Sequence, residues 1–215
     1  MTVLASAPPA SDKLLGRLST AVSPLEGGTA VLDVHGWRPP GRESHRPRRT
    51  AAVLVGILER TEPAVILTIR STKLARHAGQ VAFPGGSADD DDASGVRTAL
   101  REAEEEIGLS PRRVSPLGFL DRVDTISDFR VLPVVGLVRG RPALVPDRCE
   151  VARVFTVPLA RVMDVDAYRP TRIHHQGVTR VVYHLDWHTE HVWGVTASIL
   201  RNLALRAAGR TAQAS

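Results

Sequence analysis

A short segment bounded by two helix-capping residues constrains this chain more than any other feature. Residues 94–108 are predicted to form a helix, because Ser94 is a favourable N-cap and Gly108, followed by Pro111, is a strong stop signal. At about 100° per residue, the helix has an apolar stripe on one side. This stripe consists of Val96, Leu100, Ala103 and Ile107.

Three carboxylates lie on the neighbouring face of this helix. Glu102, Glu105 and Glu106 are surface neighbours, since residues three and four positions apart face each other, and like charges at this spacing repel. Many such faces are simply solvated. Here the sequence Phe-Pro-Gly-Gly, ending at Gly85 and Gly86, precedes the helix and follows an apolar run, and its glycines allow close approach of phosphates. The combination indicates a site for a metal-bound polyphosphate.

Composition excludes several classes of protein. The chain has 215 residues, enough for one domain with a full core, and 43% of them are hydrophobic. No run of about 18 apolar residues occurs, so we expect no membrane span. The N-terminus lacks the pattern of a signal peptide, and the single Cys149 fits a reducing compartment, so we expect a cytoplasmic protein. A net charge of +5 with 4% aromatic residues gives little support for nucleic-acid binding.

The apolar pattern predicts an α/β protein with one domain. Residues 1–12 resemble a disordered tail, and residues 13–210 are expected to form the domain. Apolar runs at 51–58 and 64–69 predict strands buried on both faces, hence a mixed sheet between helices in an α/β/α sandwich. Further strands are predicted at 117–120, 131–138 and 180–187, and helices at 11–22, 158–163 and 192–208. Pro133 suggests an edge strand or a bulge.

A basic segment separates the second strand from the glycine pair. Residues 70–80 include Arg70, Lys73, Arg76 and His77. These side chains are candidates for binding substrate phosphates, and the alternative is a plain surface loop. The basic group at 46–49 is better explained as a solvated loop.

The acidic helix resembles the Nudix box, whose core is Arg-Glu-apolar-any-Glu-Glu-any-Gly-apolar. Residues 101–109, Arg-Glu-Ala-Glu-Glu-Glu-Ile-Gly-Leu, match every specified position. Upstream, this chain has one residue more than the general pattern between Gly86 and Arg101. The expected early glutamate is replaced by Asp92, counted from Gly86, or by Ala93, counted back from Arg101.

A longer stretch resembles one Nudix subgroup, the coenzyme A diphosphatases. Residues 67–71 read Leu-Thr-Ile-Arg-Ser, residues 74–80 read Leu-Ala-Arg-His-Ala-Gly-Gln, and residues 98–102 read Thr-Ala-Leu-Arg-Glu. The extra residue of the box is a feature of this subgroup. Gln80 departs from its pattern, because a glutamate is expected there, and Asp90 replaces the usual proline after Asp89. Residues 192–197 resemble the start of the last helix in the same proteins.

The resemblance implies a reaction and a set of residues for it. Glu102, Glu105 and Glu106 would bind Mg²⁺ or Mn²⁺, since carboxylate oxygens are hard ligands. Arg101 would position these glutamates, and Glu102 and Glu105 are the candidate catalytic carboxylates. The candidate substrate-binding residues are Arg70, Arg76, His77, Gly85 and Gly86. The general base stays open between a glutamate of the box and an acid in residues 121–128.

The implied substrate is a small-molecule diphosphate, namely coenzyme A or its thioesters, cleaved to 3′,5′-ADP and a 4′-phosphopantetheine product. Two alternatives remain. The enzyme could hydrolyse another diphosphate such as ADP-ribose, NADH or a dinucleoside polyphosphate, or the chain could be a nucleotide-sensing or nucleic-acid-binding module without activity. The intact carboxylates argue against a pure binding module. Nudix proteins are often dimers, so a homodimer is expected as a possibility, with no interface indicated.

Overall fold

The computed structural model of the protein describes residues 10–25, 31–32, 49–125, 128–175 and 178–210. The tail at residues 1–9 and the basic residues 46–48 lie outside this part. Among the described residues, no helix is long and apolar enough to cross a membrane. The helices are α1 (Ala10–Ala21), α2 (Gly95–Ile107), α3 (Leu159–Val162) and α4 (Gly194–Ala207). The strands are β1 (Val31–Leu32), β2 (Arg49–Leu58), β3 (Ala64–Arg70), β4 (Val81–Ala82), β5 (Gly85–Ser87), β6 (Val114–Phe119), β7 (Arg122–Asp124), β8 (Phe129–Val138), β9 (Val151–Pro158), β10 (Arg169–His175), β11 (Val178–Trp187) and β12 (Glu190–Trp193).

The main sheet is mixed and has nine strands in the described part of the chain. Strands β2 and β8 run parallel at its centre and stay in register over their whole length, from Arg49 opposite Phe129 to Leu58 opposite Val138. The sheet order is β1-β7-β8-β2-β3-β4, and β5, β6 and β9 pair with β2, β8 and β3. Strands β2 and β3 are adjacent, but they pair over only two residue pairs, and most of β3 pairs with β9.

Alternate side chains of the central strands enter two separate cores. On β2, Leu54 packs in a core with Ala103 and Ile107 of α2, whereas Val55 packs in a core with residues of α1 and α4. This alternation follows from the two-residue period of a strand whose faces are both covered. The layers are therefore helix, sheet and helix, which confirms the α/β/α sandwich.

A second, three-stranded antiparallel sheet consists of β10, β11 and β12. Strand β11 contains the predicted strand 180–187, but the sequence pattern missed β10 and β12. The predicted last helix began at Val192, and this boundary was wrong. Val192 and Trp193 pair with β11, and the helix starts only at Gly194, whose φ of 64° is unfavourable for residues with a side chain.

Pro133 lies inside the sheet, so of the two predicted alternatives, an edge strand or a bulge, the edge strand was wrong. Strand β8 pairs with β2 on one side and with β6 and β7 on the other. Pro133 sits between these last two partners, where its carbonyl accepts a hydrogen bond from the Leu120 N–H at 3.0 Å. A residue without an N–H donor is tolerated there, because the ladder changes partner at that point.

A polar cluster ties α4 to the turn after β6. The Asn202 amide donates to Asp121 at 2.8 Å, and the Arg206 guanidinium donates to the other carboxylate oxygen of Asp121 at 2.7 Å. Arg206 also donates to the Ser23 hydroxyl, just after α1, at 2.9 Å. Asp121 and Asn202 are buried, so these bonds satisfy groups that water cannot reach.

This cluster gives a test of stability. Asp121→Asn keeps the shape of the side chain but removes the charge that Arg206 contacts, so we expect the free energy of unfolding in urea to fall by about 2 kcal/mol. Asp164→Asn is the matched control, because Asp164 forms an exposed ion pair with Arg161 at 3.7 Å. We expect the control to change stability by less than about 0.5 kcal/mol. Equal losses in both variants would contradict a structural role of the cluster.

Candidate active site

Helix α2 is held at both ends as its sequence predicts. The Ser94 hydroxyl accepts a hydrogen bond from the Arg97 N–H at 3.3 Å, and Gly108 ends the helix with a φ of 66°. Its apolar stripe packs against the sheet, with Ala103 and Ile107 fully buried. These three constraints fix the rotation of the helix, so Glu102 and Glu106 face the glycine pair on β5.

Both glycines lie in close contact with their neighbours, and only Gly85 is confined by backbone atoms. A Cβ at Gly85 would lie 2.4 Å from the carbonyl oxygen of Ala52, and its φ of 153° is strained for other residues. A Cβ at Gly86 would lie 2.4 Å from a carboxylate oxygen of Glu102. The Gly85 N–H donates to the Glu106 carboxylate at 3.2 Å. The loop thus holds Glu106 and leaves room for Glu102.

Arg101 lies among the carboxylates rather than in open solvent. Its guanidinium donates to Glu105 at 2.9 Å, to Glu102 at 3.2 Å and to Asp92 at 3.0 Å. Hydrogen bonding from Arg101 lowers the pKa of Asp92 to about 2, so Asp92 is ionised at neutral pH. Counted from Gly86, Asp92 is the residue that replaces the early glutamate, and here it holds Arg101. These contacts suit a residue that positions the glutamates.

Glu106 is the most deeply buried of the three glutamates, with 3% of its surface exposed. Burial raises the pKa of Glu106 to about 7, and the nearest cation, Arg70, lies 3.8 Å away. Burial also raises the pKa of Glu102. Glu105, in contrast, is largely exposed and turns toward Arg101. Negative charge at Glu102 and Glu106 is therefore costly in the protein alone.

A fourth carboxylate near this cluster was missed by sequence analysis. The charge of Glu150 contributes to the raised pKa of both Glu102 and Glu106. Glu150 lies just before β9, and its carbonyl accepts a hydrogen bond from the Ser71 N–H at 2.8 Å. Asp121, from the segment proposed as a source of the base, is instead engaged with α4. No local pattern marks Glu150, because it reaches the cluster only through pairing of β9 with β3.

Carboxylate oxygens are suitable ligands for a hard divalent cation, although these side chains do not converge on one position. In the part of the chain that the structure describes, no three His, Cys, Asp or Glu side chains are close enough together to hold a metal ion. Glu102 and Glu106 flank the glycine loop, and a cation between them would relieve the cost of their burial. Oxygen donors of this kind suit Mg²⁺ or Mn²⁺. The assignment of Glu102, Glu105 and Glu106 as ligands stays a prediction.

A cavity of about 570 Å³ opens beside this cluster. It lies between the main sheet and the three-stranded sheet, and Arg70, His77 and Gly85 line it, as does Gln80. Three of the five predicted substrate-binding residues therefore lie on one wall. Gly86 lies instead against Glu102, and Arg76 is exposed and is not among the described residues that line the cavity.

Comparison with known proteins identifies the family of this chain. Residues 47–179, more than half of the chain, match the NUDIX domain. The chain belongs to the Nudix family. A Cronobacter sakazakii protein named uncharacterized Nudix hydrolase NudL is 45% identical over 170 residues, which cover 79% of this chain and 88% of that protein. Its Escherichia coli (strain K12 / DH10B) counterpart is 44% identical over 173 residues, with the same coverage. A NUDIX hydrolase structure from Nitrosomonas europaea aligns with a TM-score of 0.50 at 15% identity, covering 79% of this chain and 77% of that one, and so shows a shared fold.

The raised pKa of Glu106 predicts how this Nudix protein responds to pH without metal. Its carboxyl group has an ordinary pKa of 4.5 and a pKa of about 7 when folded. Between these values the folded state binds more protons than the unfolded state, so stability should fall as pH rises from about 4.5 to 7, by on the order of 3 kcal/mol. Urea unfolding in the presence of a chelator measures this loss.

The variant Glu106→Gln isolates the contribution of this residue. Glutamine has nearly the same shape but no titrating group. Most of the stability loss of about 3 kcal/mol between about pH 4.5 and 7 should therefore be absent in this variant. Exposed glutamates of the same helix serve as the control, since Glu104→Gln removes a carboxylate that is already in solvent. An unchanged pH dependence in Glu106→Gln would show that Glu106 ionises normally.

Proposed function

We propose that this Nudix hydrolase cleaves the diphosphate bond of coenzyme A and its thioesters, releasing 3′,5′-ADP and a 4′-phosphopantetheine product. Nudix hydrolases act on nucleoside diphosphates linked to another moiety and generally use Mg²⁺ or Mn²⁺. The choice of coenzyme A goes beyond family membership. It rests on how three separate stretches of sequence come together in the fold.

The observation that carries the proposal is this convergence. Residues 67–80, 83–86 and 192–197 are three of the stretches that resemble the coenzyme A diphosphatases, beside residues 98–102 on α2. Members of all three line the same cavity, among them His77, Gly85 and Val195. Arg70 lies where the cavity meets the carboxylates, and its Nε is buried without a hydrogen-bond partner among the described residues. An anionic group of the substrate would satisfy it.

The side chains suggest how the reaction is organised. Glu102, Glu105 and Glu106 would hold the metal, which supplies charge neutralisation and acidifies water. Arg101 would keep the glutamates in place, and the Gly85–Gly86 backbone would leave space for the diphosphate. Water oxygen forms a bond to one phosphorus, the bond from that phosphorus to the bridging oxygen breaks, and a carboxylate accepts the proton. Glu102 and Glu150 are the candidates for this acceptor, since both lie near the buried Glu106.

Product analysis on a small panel of diphosphates tests the substrate. Purified protein with Mg²⁺ or Mn²⁺ is incubated separately with coenzyme A, ADP-ribose, NADH and a dinucleoside polyphosphate, and products are identified by mass. We expect 3′,5′-ADP from coenzyme A, and no product when a chelator replaces the metal. Intact coenzyme A together with cleaved ADP-ribose or NADH would refute the coenzyme A proposal. Absence of cleavage in every sample would favour a module that only binds nucleotides.

The role of Glu106 is tested by turnover. Glu106→Gln removes a proposed ligand, so we expect kcat to fall by at least about a hundredfold, equivalent to about 3 kcal/mol. Glu104→Gln is the matched control, because it makes the same chemical change on the exposed side of the same helix. The control should keep its activity within about threefold of the unmodified protein. A similar result for Glu106→Gln would refute its assignment as a ligand.

A further inference from the structure

Arg49, the last residue of the basic group at 46–49, lies in a strand rather than in the solvated loop expected from sequence. It is the first residue of β2 and pairs in register with Phe129 of β8. Its guanidinium lies over the Phe129 ring, 4.7 Å from the ring centroid, and donates a hydrogen bond to the Ser87 hydroxyl at 3.4 Å. Stacking on an aromatic ring holds the planar guanidinium in one orientation, so its remaining N–H groups stay available to a ligand.

The charge of Arg49 is not balanced by a carboxylate. Among the residues that the structure describes, this exposed guanidinium forms no ion pair, and its partners are a hydroxyl and an aromatic ring. Arg101, Arg130 and Arg206, in contrast, each bind a carboxylate. An exposed arginine can simply cover an aromatic ring, so the position of Arg49 relative to the active site decides whether it is available for an anion.

Arg49 lies beside the glycine strand of the diphosphate site. Ser87, which accepts its hydrogen bond, is the last residue of β5 and follows Gly85 by two residues, about 7 Å along the strand. The Ser87 carbonyl also accepts a hydrogen bond from Arg101 at 3.1 Å. At the other end of β5, Arg70 and the Gly85 N–H contact the same glutamate. Cationic side chains therefore lie at both ends of this short strand.

Arg49 also lies on the sheet face that borders the cavity. Side chains at even spacing along a strand share a face, so Arg49 is on the side of Val53, which lines the cavity. On β8, Phe129 is on the side of Val131, another lining residue, and its N–H donates to the hydroxyl of Thr125 at the cavity wall at 3.1 Å. A ligand in the cavity can therefore reach Arg49 along one face of the sheet.

We propose that Arg49, with Ser87 and Phe129, forms a second phosphate site that binds the 3′-phosphate of the coenzyme A ribose and makes the enzyme prefer substrates that carry it. The inference rests on the proposed function, because the diphosphate must occupy the neighbouring site. One ribose ring carries both phosphate groups, so the second site must lie near the first. A phosphate monoester is costly to bury, which favours the exposed Arg49 over Arg180, a cation buried on the cavity wall of the three-stranded sheet.

Coenzyme A and 3′-dephospho-coenzyme A test the proposal, because they differ only in this phosphate. For the unmodified enzyme with Mg²⁺, kcat/KM should be at least about tenfold higher for coenzyme A, since charge-assisted hydrogen bonds to phosphate are strong. In Arg49→Gln the ratio should fall to within about twofold of unity, through loss of activity on coenzyme A alone. Arg49→Lys should retain part of the preference, because it keeps the charge but lacks the planar fork.

Arg139→Gln is the matched control for this experiment. Arg139 is exposed and follows β8 at the end opposite Phe129, so the same chemical change is made far from the glycine strand. This variant should keep the ratio of the unmodified enzyme. Equal ratios in Arg49→Gln and Arg139→Gln would overturn the assignment. A lower ratio in Arg76→Gln alone would assign the phosphate to the basic segment at 70–80 and would also overturn it.

Failure of the proposed function gives a different result from failure of the phosphate site. If the unmodified enzyme cleaves neither compound, both the proposed function and this inference are refuted. If it cleaves both equally well, the proposed function stands and the phosphate site fails.

Binding of the nucleotide product provides a readout without turnover. In calorimetry, 3′,5′-ADP should bind the unmodified protein more tightly than 5′-AMP, and Arg49→Gln should remove the difference. An equal loss of affinity for both nucleotides in this variant would place the nucleobase, rather than the 3′-phosphate, on Arg49 and Phe129. That result would overturn the proposal.

Discussion

A carboxylate buried against the backbone of a glycine loop is the constraint on which the rest of this site depends. Glu106 is almost completely inaccessible, yet it belongs to a helix that carries two further acidic neighbours on the same face. Among the described residues, the Gly85 N–H and the Arg70 guanidinium, 3.8 Å away, partly offset its burial. Burial that disfavours ionisation of the Glu106 carboxyl is unfavourable for folding. Such burial is typical of sites where a bound ligand supplies positive charge.

The fold keeps the buried Glu106 carboxylate in place because it fixes both helix α2 and strand β5. Helix α2 cannot rotate, because Ser94 and Gly108 cap it and its apolar stripe fills the core against β2. Strand β5 cannot move away, since it pairs with β2 from Ala51 to Val53. Both the helix and the glycine loop therefore pack on the central parallel strands β2 and β8. This shared support sets the distance from Glu106 to Gly85.

The carboxylate helix and the central strands could be predicted from local sequence patterns. Strand β10, the position of Glu150 and the cavity wall could not be predicted in this way. The caps of α2 and the apolar runs of β2 and β8 lie within short windows, where spacing alone is informative. Strand β10 reads Arg-Pro-Thr-Arg-Ile-His-His, which lacks the alternation of a half-buried strand, so it was missed. Glu150 and the cavity wall were missed for another reason, because they are assembled from residues far apart in sequence.

The position of Gln80 in the fold explains the effect of its departure from the subgroup pattern. The subgroup pattern has a glutamate at this position, whereas the Gln80 side chain lines the cavity and its oxygen is 3.0 Å from His77 Nδ1. A glutamate there would place a negative charge beside Arg70, in a cavity whose described lining has no other carboxylate. The neutral amide adds no second carboxylate beside Arg70, which already lies 3.8 Å from Glu106. The departure is therefore compatible with binding of an anionic group beside Arg70.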